Sequence, residues 1–291
     1  MSQLLPIASD ALRAEINPFG AELTHLRTPD GAEWMTDADP AYWTGHAPIL
    51  FPIVGALAGN TLRVDGGEYR LERHGFARRR LFEVAAHEES RLVLRLADDE
   101  ETRAVYPFAF LLEMTYALEG ATLHMTARIE NRGGGPLPAS FGWHPAFAWP
   151  LPGGGAREAH CVRFARDEPA GLKPLAPDGT ILPGERPSPL DGRVLHLDDD
   201  VFASDALIWD PVASRSVVYA APEGPALQID FPDTPRLGIW SKPGARFVCV
   251  EPWHGIADPQ GYAGDFRDKP GVFEIAPGAD RLCSMAVTVR R

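Results

Sequence analysis

The most constraining feature of this chain is a two-residue alternation of apolar and polar side chains, repeated along most of its length. In ATLHMTARIEN, Leu123, Met125, Ala127 and Ile129 fall on one face, and Thr122, His124, Thr126, Arg128 and Glu130 on the other. That is the signature of a half-buried strand. The same pattern returns in ALRAEI (Leu12, Ala14, Ile16), in RLVLRLADD (Leu92, Leu94, Leu96) and in LCSMAVTV (Cys283, Met285, Val287, Val289). Stretches such as NRGGGPLP, LPGGG and PDGTILPGERPSP separate the strands and read as turns or loops. No segment joins a clear 3.6-residue period to caps at both ends. Strand follows strand without the helices that parallel crossovers need, so the pattern predicts an all-β, antiparallel fold: a large sandwich or an open barrel.

Apolar residues make up 45% of the 291, enough for a large core. The segment from Leu151 to Asp200 is rich in Pro, Gly and Asp. Strand patterns continue beyond it, so residues 1–291 are expected to form one domain with a long excursion rather than two domains. A net charge of −12 argues against nucleic acid or an anionic membrane surface as partner. Cys161, Cys249 and Cys283 are sparse and form no CxxC pair, which fits free thiols in a reducing compartment. MSQLLPIASDALRAEI lacks a basic segment followed by an apolar run, and no stretch approaches the ~18 apolar residues of a membrane span. A cytoplasmic protein is expected.

Four stretches set polar residues among aromatics, Gly and Pro: WTGHAPILFPIVG (43–55), ERHGFARRR (72–80), SFGWHPAF (140–147) and FVCVEPWHG (247–255). In the last, Phe247, Cys249 and Glu251 share a strand face, and Trp253 follows two residues on. A carboxylate desolvated beside an indole should have a raised pKa and be a better proton acceptor near neutral pH. Each residue also has a plainer reading: His144 or His74 as a structural histidine, Glu251 as the partner of an arginine, the aromatics as core. His46 and His254 are weaker candidates. Among nine histidines there is no HxH and no HExxH; after His87 and Glu88, Arg91 stands where a second ligand would be needed. A metal site assembled from distant histidines stays open. GxSxG, GxGxxG and Walker-type loops are absent, and Cys249 lies in a strand that reads as buried.

Taken together and in order, these stretches resemble the aldose 1-epimerase (galactose mutarotase-like) superfamily, most closely its LacX-like branch. The likeness runs through NPFGAELTHL, HAPILFPIVG, HGFAR, YPFAF, GWHPAF, LIWDP, LGIWSKPGARFVCVEPWHG and APGAD, and so covers most of the chain. It implies a β-supersandwich, a sugar as substrate, and no metal or organic cofactor. By motif, it implies His144 as general acid, Glu251 as general base, and His74 as a contact near the ring oxygen. Asp205 is implied as a sugar-binding carboxylate by a looser match, and Arg78 as a contact to a hydroxyl or phosphate. One departure stands out: in GALAGNTLR, Asn60 is followed by Thr61, with no arginine before Arg63, where mutarotases carry Asn-Arg.

Anomer interconversion needs a base for the C1 hydroxyl and an acid for the ring oxygen, with roles reversed after the C1–C2 bond has turned. The expectation is one carboxylate and one imidazole on opposite sides of the ring, the carboxylate raising the histidine pKa. Trp143, Phe147 and Trp253 are either a stacking surface for the sugar or core. The reading is a cytoplasmic aldose 1-epimerase acting on a monosaccharide or sugar phosphate, as a monomer or weak dimer. The alternatives are a non-catalytic sugar-binding or sugar-sensing protein and a metal-dependent sugar isomerase.

Overall fold

In the strand Thr122–Asn131, Leu123, Met125, Ala127 and Ile129 are buried, as the alternation predicts. The strand is central to the larger of two main sheets. The computed structural model describes residues 3–290, and in it this sheet has nine strands. From edge to edge they are Val194–His196, Cys161–Phe164, Ser216–Ala220, Ala226–Asp230, Asp280–Arg290, Thr122–Asn131, Phe110–Glu119, Arg91–Ala97 and Glu83–His87. The second main sheet orders Phe141–Gly142, Phe247–His254, Arg236–Trp240 and Leu207–Trp209, with Ala146–Ala148 also paired to the long strand. Each pairing in both sheets is antiparallel. Leu112, Ile129 and Val287 of the first sheet share one core with Phe141, Leu237 and Val250 of the second. The fold is a β-supersandwich.

The one α-helix among the described residues, Glu100–Val105, is a single capped turn and a half. Asp99 accepts the Thr102 amide and Thr102 returns the bond to the Asp99 amide. No helix is long and apolar enough to cross a membrane.

The expected excursion over residues 151–200 is more ordered than its composition suggests. Cys161–Phe164 and Val194–His196 form one edge of the nine-stranded sheet. Between them, Leu172 bridges both Arg186 and Trp209. Short three- and four-residue strands carry too little alternation to stand out among prolines and glycines.

The strand Phe247–His254 is buried along all eight residues: it has neighbours on both edges, Val248 and Val250 enter the main core, and Phe247, Cys249 and Trp253 enter two smaller apolar clusters. Such a strand reads as continuous rather than alternating hydrophobicity. Just beyond it, Asp258 ties several segments together. Its carboxylate accepts the Ala58 amide at 2.8 Å and lies 3.0 Å from Lys269 Nζ, both side chains being buried. Its main chain bonds Ala56 and Ile181. Removing one member of a buried ion pair leaves the other charge uncompensated. Lys269→Met is therefore expected to destabilise the protein by about 3 kcal/mol, read from urea unfolding. A loss below about 1 kcal/mol would be the size of an exposed pair and would show that Asp258 is held by its amide bonds alone.

Candidate active site

The register of the second sheet decides where the site lies. Gly142 is opposite Trp253 and Ala146 is opposite Cys249, which places His144 opposite Glu251. The flanking pairs are joined by one bond each: the Trp143 amide to the Pro252 carbonyl at 3.1 Å, and the Val250 amide to the Pro145 carbonyl at 3.2 Å. Pro145 and Pro252 have no N–H to return. His144 and Glu251 thus form a non-hydrogen-bonded cross-strand pair, the kind whose side chains stand closest. His144 Nε2 lies 3.2 Å from Glu251 Oε2, with both side chains buried. Placement on opposite sides of a sugar ring is expected from the sequence; the ladder sets them side by side.

They sit against a cavity of about 390 Å³. His74, Arg78, Asp205 and Trp253 line it with them, as the motifs predict. Trp143 does not. Its indole packs edge-on against Phe141, at 5.0 Å between centroids, inside the main core, which also holds Phe147. Residues one apart on a strand face opposite ways, so a chain that turns His144 to the cavity turns Trp143 from it. Trp253, two residues from Glu251, faces the cavity. Its indole lies across Gly142 and Gly238, where an added Cβ would meet the ring at 2.7 Å in each case.

Trp43 and Trp240, not singled out from the sequence, frame the histidine. The Trp43 ring stacks on His144 at 5.0 Å and 29°, and Trp240 meets it edge-on at 6.1 Å. Both tryptophans occur in the quoted motifs, but alternation alone does not say that two loops converge. Arg73, Lys242 and Gly179 also reach the cavity unforeseen. Asn60 and Thr61 do not line it, and Arg63 is paired with Glu68 elsewhere. His46 and His254 are likewise outside it.

His74 is held in left-handed backbone, φ 67°. Its amide donates to the Gly55 carbonyl at 2.9 Å, and its Nδ1 accepts the Gly55 amide at 3.1 Å. An Nδ1 that accepts leaves the proton on Nε2, so His74 is a neutral N–H donor. Burial, with the neighbouring His144, Arg78 and Arg73, holds its pKa well below the usual histidine range. Asp205 is also left-handed, φ 70°, and its Oδ1 accepts the Ala206 amide at 2.7 Å. Such backbone is uncommon outside glycine and tends to collect at functional sites.

Burial pushes the Glu251 carboxyl well above its ordinary value, and the Asp205 charge adds to this. That agrees with the sequence expectation. For His144 the direction is reversed: burial, with the charge of Arg78 nearby, takes the imidazole down to about 3. Each shift favours the uncharged member, so the pair holds one proton between two groups near neutral pH. A ring nitrogen of His144, the Cys249 sulfur and a Glu251 oxygen lie within 4.8 Å of one another. Burial and Glu251 push the Cys249 thiol far up, away from the thiolate that binds metals, so these donors fit proton transfer better than a metal.

Comparison with known proteins points one way. The aldose 1-epimerase family profile matches residues 3–262. Protein LacX of Lactococcus lactis subsp. lactis is 30% identical over 288 residues, 94% of this chain and 95% of LacX. A galactose mutarotase related enzyme from Lactobacillus acidophilus superposes with a TM-score of 0.92 at 30% identity, over 99% of this chain and 98% of that one. A galactose mutarotase-like protein from Lactobacillus casei gives 0.89 at 27% identity, over 99% and 100%.

The histidines whose pKa values burial lowers give the protein a pH signature. His46, His74, His144 and His160 are all shifted down, in each case mainly by burial. In the unfolded chain they bind protons near pH 6.5. Between that value and their folded pKa values the unfolded state holds more protons, so stability is full above about 6.5 and falls as pH drops. His74→Gln removes one such group. Its melting temperature should fall less than that of the wild type between about pH 7.5 and 5. Parallel curves would show that His74 titrates normally in the folded state.

Proposed function

The chain belongs to the aldose 1-epimerase family, and from that premise we propose that it interconverts the α and β anomers of an aldose by general acid–base catalysis at His144 and Glu251. The observation that carries the reading is the 3.2 Å contact between His144 Nε2 and Glu251 Oε2 against an aromatic-lined cavity. The ring oxygen and the anomeric hydroxyl are bonded to the same carbon. Two proton-transfer atoms side by side reach both, where groups on opposite faces of the ring would straddle them.

The single shared proton has the right bookkeeping. The arrangement that reacts with the closed ring is the less favoured one, with the shared proton on His144, so that Glu251 is a carboxylate and His144 an imidazolium. Glu251 takes the proton from the C1 hydroxyl as His144 delivers one to the ring oxygen, and the C1–O5 bond breaks. The open aldehyde then faces a neutral carboxylic acid and a neutral imidazole, the forms that burial favours. Rotation about C1–C2 presents the other face, and the same protons return. Neither direction needs a proton from solvent. His74 Nε2–H serves as a fixed donor to the sugar, Asp205 accepts from a hydroxyl, and the faces of Trp43, Trp240 and Trp253 cover its apolar surface.

Glu251→Gln keeps the side-chain shape without a basic carboxylate, and His144→Asn removes the acid. Each should slow anomer exchange by roughly 10²–10⁴-fold, read from NMR exchange between α and β signals. The double variant should lose far less than the product of the single losses, since the two act as a unit. Wild-type exchange rates in both single variants would defeat the mechanism. Sugar binding by a wild-type protein that exchanges no anomers would instead favour a non-catalytic sugar-binding protein.

A further inference from the structure

The charge inside the cavity runs against the charge of the chain. The protein carries a net −12, yet three cations, Arg73, Arg78 and Lys242, line the cavity. Each is held by a main-chain carbonyl: Arg73 Nη2 to Asp178 O at 3.0 Å, Arg78 Nη2 to Arg73 O at 2.8 Å, and Lys242 Nζ to Tyr42 O at 3.2 Å. Among the described residues none of the three forms an ion pair. The contrast within one motif is sharp: Arg79 is paired with Glu72, and Arg80 with Asp99 and Glu101. The two arginines of ERHGFARRR that do not line the cavity are neutralised, and the two that line it are not.

Nor do the cavity carboxylates cancel them. Glu251 shares its proton with His144, and Asp205 has Arg186 close enough to feel its charge. The Arg78 Nε is buried without a hydrogen-bond partner, and burial with the neighbouring Arg79 lowers its pKa. An unpaired, partly buried guanidinium is costly, and an anionic ligand would relieve that cost. Guanidinium forks match phosphate oxygens in pairs, and an ammonium adds a point charge. The cavity, at about 390 Å³, lies within the range of small-molecule sites.

We propose that the preferred substrate is an aldose carrying a phosphate group, with Arg73, Arg78 and Lys242 receiving the phosphate while His144 and Glu251 act at the anomeric carbon. The proposal rests on the epimerase reading for its chemistry but not for its binding. Two measurements keep these apart.

The first is NMR anomer exchange with glucose 6-phosphate and galactose 6-phosphate against glucose, galactose and glucuronate. The phosphorylated sugars should exceed the neutral ones in kcat/KM by about 10²-fold or more. Arg73→Met and Lys242→Met should each lower that ratio by about tenfold, as expected for losing a charged hydrogen bond. Equal kcat/KM for neutral and phosphorylated sugars, or ratios unchanged in both variants, would overturn the proposal. Glucuronate performing as well as the phosphates would overturn the assignment to phosphate.

The second measurement is the thermal shift given by glucose 6-phosphate and by inorganic phosphate, which needs no catalysis. Stabilisation of the wild type that is lost in Arg73→Met and Lys242→Met supports the phosphate site even if no anomers exchange, the case in which the epimerase reading alone fails. No stabilisation of the wild type by glucose 6-phosphate rejects the phosphate site.

Discussion

The structure depends first on the register that sets His144 opposite Glu251. A one-residue slip in either strand would turn one of the pair to the other face of the sheet and separate them. The pairing of Gly142 with Trp253 and Ala146 with Cys249 prevents that slip from both sides. Between these anchors the two prolines leave the ladder thin. The same residues that weaken the pairing there, Pro145 and Pro252, also adjoin the catalytic candidates. The proximity of the proton-transfer atoms is thus a property of a sheet buried on both faces and not of mobile loops.

Burial then sets the electrostatics. A carboxylate and an imidazole, which water would leave wholly and partly charged, are placed where charge is disfavoured, and each is shifted toward neutrality. A lone buried carboxylic acid would be a poor base, and a lone buried imidazole a poor acid. Side by side, they exchange one proton, and the charged and uncharged arrangements differ only in where it sits. Neutral His74 adds a donor without adding a charge to this balance. A second imidazolium beside His144 would make its protonation still harder, and the two arginines nearby help to keep His74 uncharged.

Much of this was legible in the sequence, for reasons that particular residues illustrate. Period-two alternation located Thr122–Asn131 and Asp280–Arg290 because each has one buried face. The strand carrying Glu251 has no such contrast; there the motif rather than the period marked the site. His74, Arg78, Asp205 and Trp253 were found by motif and do reach the cavity. Trp143, open between a stacking surface and core, is core, as its adjacency to the cavity-facing His144 requires on an extended chain. The direction of the His144 shift was missed because a sequence names the neighbouring charge without giving the depth of burial. Trp43, Trp240, Arg73 and Lys242 converge only through tertiary folding, and nothing in local spacing could have brought them together.

The site therefore divides between two kinds of support. His144, Glu251 and Trp253 are fixed by strand pairing, where positions change only in whole residues. The side chains around them come from loops and turns: His74 and Asp205 from left-handed turns, Lys242 from the end of Arg236–Trp240, and Gly179 from the segment between two edge strands. Gly179 shows how closely these parts fit, since a Cβ there would fall 1.9 Å from Arg73 Nη2. Its positive φ of 82° already disfavours any side chain, so the loop from the 151–200 segment meets the arginine with bare backbone. That contact, with the Asp178 carbonyl beside it, aims the Arg73 guanidinium at the cavity. A change in this loop would redirect a cation without disturbing the ladder that holds the proton pair. On the proposed epimerase reading, the sheet would fix which bond is broken, and the loops which sugar is presented to it.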